Sequence, residues 1–190
     1  MWFFTSDLHF NHKNIIVMQN RPFNSIEEMN QVLIDNINYK LKPYENSAKL
    51  AILGDLSHHC SAEDTVRLIS QIKCKKKYLV IGNHDKPEEI KKIAPDLFVD
   101  IQPYMEVYDY NHNFVLCHYP ILSWKKMRGG WIHLHGHIHS NPSYNLENKD
   151  KHILRFDVGV EANNYFPISS KQILEFFGEN IYMNPNANYH

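Results

Sequence analysis

Five short apolar runs in this 190-residue chain end alike, each passing directly into side chains able to bind a metal ion. Trp2 to Thr5 leads into Asp7-Leu8-His9, Leu50 to Leu53 into Gly54-Asp55, and Tyr78 to Ile81 into Gly82-Asn83-His84-Asp85. Phe114 to Cys117 is followed by His118, and Trp131 to Leu134 runs through His135 into Gly136-His137-Ile138-His139. Apolar runs of this length bounded by polar turns read as mostly buried strands. Loops beyond the carboxyl ends of strands in α/β folds converge on one crevice, so a fold of this kind can bring these endings together.

The remaining pattern agrees. Ser25-Ile26-Glu27-Glu28 is a capping box before Met29, Leu33, Ile37 and Leu41 at helical spacing. Ser61-Ala62-Glu63-Asp64 opens a second helix with Val66, Ile69 and Ile72 inward, and Lys73 and Lys75 to Lys77 are expected at its end, where they suit the helix dipole. Pro87 starts a short third helix, and Ser169 to Phe177 forms a last one before a fraying tail at Asn184 to Ala187. Ile153 to Val158 is a further strand, Asn141 to Lys151 a polar loop, and the second half reads as hairpins. The expected class is α/β, with a mixed sheet or a two-sheet sandwich.

At 190 residues the chain suits one domain, residues 1–190, with a core of its own. A net charge of -1 gives no reason to expect long duplex nucleic acid or an anionic membrane as partner. No apolar run reaches the roughly 18 to 20 residues of a membrane span, and the N-terminus does not read as a signal peptide. Three cysteines without a C-x-x-C pair argue against a disulfide framework and favour a reducing cytoplasm. Histidine is the outlier, with 13 copies.

In Asp7-x-His9 and His137-x-His139, residues two apart on an extended backbone point to one side. Gly54, Gly82 and Gly136 stand where a chain leaving a strand turns sharply or approaches an ion. Two divalent ions would bring four positive charges against three negative ones from Asp7, Asp55 and a hydroxide, so the site stays positive and draws a phosphoryl group. An imidazole-rich shell favours Mn, Fe, Zn, Ni or Co over Mg or Ca.

The ordered motifs D-x-H, G-D, G-N-H-D, H and G-H-x-H, over residues 7 to 139, resemble the calcineurin-like metallophosphoesterase superfamily, and the wider context of Ser6 to His12, Arg21-Pro22-Phe23, Cys117-His118-Tyr119-Pro120 and Asp157-Val158-Gly159-Val160 resembles a compact bacterial or phage branch of it. The resemblance implies a four-layer α/β/β/α sandwich of two mixed sheets flanked by helices. It implies two divalent metal ions, manganese foremost. Asp7, His9, Asp55 and His139 would hold one, and Asp55, Asn83, His118 and His137 the other, with Asp55 bridging. It further implies a two-metal-activated hydroxide attacking phosphorus, with His84 as general acid. Gly54-Asp55-Leu56-Ser57-His58-His59 lacks the second Asp and the Arg of the protein-phosphatase G-D-x-x-D-R, and His58 resembles nuclease and phosphodiesterase branches, where it would assist His84 or touch substrate. Asp157-Val158-Gly159-Val160 stands where many relatives have Asn-x-Gly-Ser. The expected substrate is a phosphoester small molecule or nucleotide, a phosphodiester first. The alternatives are a phosphomonoester or, with no turnover, a metal-binding interaction module.

Overall fold

The computed structural model describes residues 1–181; the expected tail at Asn184 to Ala187 lies outside them. One sheet has the order β4-β3-β2-β1-β9, built from β1 (Trp2–Thr5), β2 (Lys49–Ile52), β3 (Lys76–Val80), β4 (Asp100–Gln102) and β9 (Ile168–Ser169). It is parallel except where β9 runs against β1. The other has the order β5-β6-β7-β8, from β5 (Tyr104–Asp109), β6 (His112–Cys117), β7 (Ile132–His135) and β8 (Arg155–Asp157). Only its β5-β6 pair is a hairpin, since β6, β7 and β8 are parallel, so the expectation of a hairpin-built second half is corrected. The chain is thus an α/β fold of two mixed sheets flanked by helices.

Alternation along the strands makes two cores. Phe3, Leu50, Ile52 and Leu79 pack with Met29, Leu33 and Ile37 of α2 (Ile26–Leu41) and Leu68 and Ile69 of α3 (Ala62–Ser70). Phe4, Ala51 and Val80 pack with Phe114, Leu116, Ile132 and Leu134 between the sheets, where the Phe4 and Phe114 rings are 5.7 Å apart. Ser25 caps α2 by accepting from Glu28 N, while the Glu28 carboxylate turns to Asn24 N and so leaves the expected box half made. Short helices α1 (Ile15–Met18) and α4 (Pro87–Ile93) complete the first half.

Three local expectations fail for physical reasons. Asn141 to Lys151 is a helix, α5 (Pro142–Asp150), started by the Asn141 cap and Pro142. Its inward side carries Asn145 and Asn148 in place of an apolar stripe, and Asn145 exchanges two hydrogen bonds with the Asp157 backbone, so no hydrophobic period announced it. The basic run does not end α3: Lys76 and Lys77 begin β3, and buried Lys77 donates to Ile72 O and Cys74 O. Val66 is only partly buried, the inward place going to Leu68. The last helix, α6 (Ser170–Phe177), carries a complete capping box from Ser169 and Gln172. Among the described residues no helix is long and apolar enough to cross a membrane.

On the second sheet's outer side, His133 and His135 are fully buried. His133 Nδ1 faces Val115 O, and its Nε2 faces both Tyr119 O and the Ile121 N–H, while His135 Nδ1–H donates to Gly136 O and its Nε2 accepts from the Tyr144 hydroxyl. Burial, then the neighbouring imidazole, pulls His133 down to about 3; burial likewise brings His135 to about 4. Both stay neutral folded but gain a proton below about 6.5 when unfolded, so stability is complete above that pH and falls as pH drops toward 4 and 3. Going from pH 7 to 5, each should cost on the order of 1 to 2 kcal/mol, and His133→Gln should remove its share of that drop in urea unfolding.

Candidate metal centre

All seven candidate ligands meet at one end of the strands, but not by strand alternation. β1 ends at Thr5 and β7 at His135, so both H-containing pairs lie in loops beyond them. Asp7, His9, Asp55, His137 and His139 have φ of 58, 49, 54, 72 and 46°, in the left-handed region. Left-handed turns, not extended backbone, aim these pairs, which corrects the reading from spacing. Asp and His tolerate this region better than most residues, yet each such residue costs about 1 kcal/mol or more. Only fourteen non-glycine residues among those described are left-handed, so five within a set of seven marks the place where the fold accepts strain for geometry.

Two groups form. Asp7, His9 and His139 bring one ligand atom each within 4.8 Å of one another, and Asp55, His118 and His137 do the same. Asp55 Oδ2 lies 3.5 Å from both His9 Nε2 and His118 Nε2, placing one buried carboxylate between the groups. His118 Nδ1–H donates to Leu53 O at 2.7 Å, which leaves Nε2 a lone pair 3.1 Å from Asn83 Oδ1. Lone pairs from an imidazole, an amide oxygen and a carboxylate thus face one another, an arrangement that suits a cation. His9 Nε2 is buried with no hydrogen-bond partner, and burial lowers its pKa to about 2, so its lone pair is open. Burial raises the Asp7 carboxyl above its ordinary value, with His139 opposing. Burial alone would lower His139, but its hydrogen bond to Glu161 and the charges of Asp7 and Glu161 hold it above its ordinary value, as expected where two anions attract positive charge. The donor set therefore fits two divalent ions of the nitrogen-binding kind.

Supporting groups fix these side chains. Asp85 accepts from the backbone N–H of Asp55, Leu56 and Gly82, tying the β2 and β3 loops together. His84 donates its backbone N–H to Asp55 Oδ1, and its Nε2 stands 3.9 Å from Asp55 Oδ2, a third of the side chain open to solvent. The His58 ring lies 3.9 Å from that of His84. His12 is buried behind His9, Nδ1 to Nδ1 3.2 Å, while His59 is exposed. Lys125 pairs with Glu106, and Trp124 is buried against His133, so the loop between His118 and His137 offers its tryptophan to the core and not to a ligand. Cys117 is half-buried, less enclosed than its place in a strand suggests.

Sequence reasoning missed Arg21, Glu161 and Asp157. Arg21 is buried and donates to Asp7 O at 2.8 Å and Leu8 O at 3.0 Å, and with two nitrogens to Glu161 Oε1; that oxygen also takes the His139 Nδ1–H at 2.9 Å. A carboxylate behind an imidazole orients it and strengthens it as a ligand. Asp157 binds Ser140 and Gly159 N, shaping the loop past His139. Arg21-Pro22-Phe23 and Asp157-Val158-Gly159-Val160 were visible as motifs, but partners 140 residues apart carry no local signal.

Gly136 has no room for a side chain, since a Cβ would collide with Ser6 Oγ and the Asp7 carboxylate. Gly136→Ala should therefore displace Asp7 and cut metal affinity at least about tenfold, read by titrating the metal-free protein with Mn2+. Gly54, at φ 89°, supplies the turn that delivers Asp55.

Residues 3–180 match the sequence model of the calcineurin-like phosphoesterase family. The uncharacterized protein MJ1445 of Methanocaldococcus jannaschii is 33% identical over 176 residues, 90% of this chain and 87% of that one. The Aquifex aeolicus protein AQ665, of unknown function, superposes with a TM-score of 0.71 at 28% identity, covering 92% of this chain and 98% of its own. An archaeal phosphodiesterase shares the fold at 14% identity and a TM-score of 0.50, over 90% and 94% of the two chains. With its ordered motifs gathered at one site and the family match spanning nearly its whole length, this chain belongs to the calcineurin-like phosphoesterase family.

Proposed function

We propose that the chain hydrolyses phosphodiesters at two divalent ions, manganese foremost. Asp7, His9 and His139 would hold one and Asn83, His118 and His137 the other, with Asp55 within reach of both groups. The observation that supports this above all is the placement of Asp55 Oδ2 at 3.5 Å from an imidazole of each group. When bound, the ions supply Lewis acidity and bring water to a nucleophilic state near neutral pH.

The chain's own side chains do the rest. In the overall reaction a bond from water oxygen to phosphorus replaces the bond to the departing alcohol oxygen. His84, partly open beside Asp55, gives a ring proton to that oxygen, and the proton released by water restores the imidazole. His58, packed edge-on against His84, holds the ring in place and assists it. A diester is preferred because, among the described residues, no arginine lines the cavity beside His84 or the cavity beside His139 to grip a dianionic monoester, and Arg21 is committed to Glu161 and the backbone. Free thiols at Cys60, Cys74 and Cys117 support a reducing compartment such as the cytoplasm.

The test compares Mn-loaded protein on bis(4-nitrophenyl) phosphate and 4-nitrophenyl phosphate. The diester should turn over faster, and chelation should abolish both activities. His84→Ala should keep two ions and lose about 10²- to 10⁴-fold in kcat on a diester whose departing group is an unactivated alcohol, and far less on the 4-nitrophenyl esters, whose phenolate departs without a proton. Full activity of that variant on the unactivated diester would remove His84 from the assigned role, and faster monoester turnover would reverse the preference.

A further inference from the structure

Among the described residues, β5 is the outermost strand of its sheet, paired with β6 on one side and with no strand on the other. From Tyr104 to Tyr108 its residues alternate: Tyr104, Glu106 and Tyr108 face outward, while Met105 and Val107 turn into the core between the sheets. We propose that two copies of this chain pair antiparallel through β5, about a twofold axis at Glu106, joining their four-stranded sheets into one.

The strand's own order of residues points to a second copy. Tyr104-Met105-Glu106-Val107-Tyr108 runs aromatic, apolar, acidic, apolar, aromatic in either direction. Residues opposite one another on paired strands share a face. An axis at Glu106 therefore sets Tyr104 against the second copy's Tyr108 on the outside, and Met105 against its Val107 over the core. Both faces match at once. An axis at Val107 would set Glu106 against Tyr108 and Met105 against Asp109, and one at Met105 would set Val107 against Pro103, which has no N–H to give. An axis between two residues would turn the core face of one copy to the outside of the other.

Exposure and charge fit the same pairing. Tyr104 is 39% exposed and Tyr108 60%. Their hydroxyls are already engaged, with Glu106 Oε1 and Asn111 Oδ1, which leaves the ring faces for a neighbour to cover. At the axis two Glu106 carboxylates meet, but each brings Lys125, whose Nζ lies 2.7 Å from its Oε2, so the crossing holds two anions and two cations. Between Tyr104 and Tyr108 the strand has neither a proline nor a charge turned toward the core, two of the devices that keep free edges apart. β4, an edge of the other sheet, is only three residues long, and its Asp100 and Gln102 are exposed and polar.

The experiment is sedimentation equilibrium of the full chain. A monomer–dimer equilibrium is expected, between the chain's 22.5 kDa and twice that mass. An interface this small should give a Kd on the order of 10 µM. Tyr104→Lys combined with Tyr108→Lys sets like charges opposite one another and should raise Kd about tenfold or more, with the thermal midpoint checked. The register is read with dibromobimane, which bridges only closely spaced thiols. Copies carrying Glu106→Cys should link to each other, and Tyr104→Cys should link to Tyr108→Cys but not to itself, above the background that the parent's own cysteines set. A chain still monomeric at about 200 µM, a dimer that the double lysine variant leaves unchanged, or any other pattern of linkage overturns the proposal.

Discussion

Asp55→Asn is expected to abolish hydrolysis, lowering kcat/KM by about 10⁴-fold or more, with the fold retained. Asp55 is buried, its Oδ2 lies midway between two imidazole lone pairs, and its Oδ1 accepts the His84 N–H. An asparagine has nearly the same shape, so packing changes little. Its amide N–H groups, however, would donate to His9 Nε2 or His118 Nε2 and turn a ligand into a hydrogen-bond acceptor. The site also loses one of its two ligand carboxylates, and with it much of the affinity for both ions. Metal ions at such centres supply several kcal/mol of charge stabilisation, and each 1.36 kcal/mol is tenfold in rate. The check is kcat/KM on an activated diester together with ions bound per chain. A variant that binds two ions and keeps within tenfold of the parent rate contradicts the bridging role.

Arg21→Met is expected to cost about 3 to 5 kcal/mol, because it breaks a buried ion pair from one side. The guanidinium is wholly enclosed, with Glu161 Oε1 at 2.7 Å and the Asp7 and Leu8 carbonyls at 2.8 and 3.0 Å. Methionine fills much of the space but leaves Glu161 charged and facing Asp7, and leaves two carbonyls without donors. For a chain of this size, the loss corresponds to a fall in Tm on the order of 6 to 20 °C. Lysine should not rescue, because a single ammonium cannot span acceptors that the planar fork reaches together. Glu161→Gln should be milder in stability, since the amide oxygen still accepts, yet metal affinity should drop about 10- to 100-fold through the loosened His139. Urea unfolding of the metal-free protein decides the first claim and Mn2+ titration the second. A stability change under 1 kcal/mol for Arg21→Met would show that the pair is not a support of the site.

The strands and the site's first layer were legible because each leaves a local mark. Apolar runs of four to six residues have little alternative to a buried strand, and the six read that way are strands, with ends shifted by no more than two residues. Strands that are short and polar, such as Asp100–Gln102, or only two residues long, such as Ile168–Ser169, form because an edge is present and not because of their composition. Helix α5 stayed hidden since its buried face is amide, not apolar. At the site, Asp7, Asp55 and the histidines stood out by type and spacing, but how they converge did not, because left-handed φ at Asp and His has no periodicity to read. The Arg21 to Glu161 support depends on tertiary proximity alone.

The most direct test is an anomalous difference map from crystals of the protein soaked in Mn2+. Two peaks are expected, one among Asp7, His9 and His139 and one among Asn83, His118 and His137, with the Asp55 carboxylate between them. A map with no peak there, or with a single ion that Asp55 does not touch, contradicts the two-ion centre.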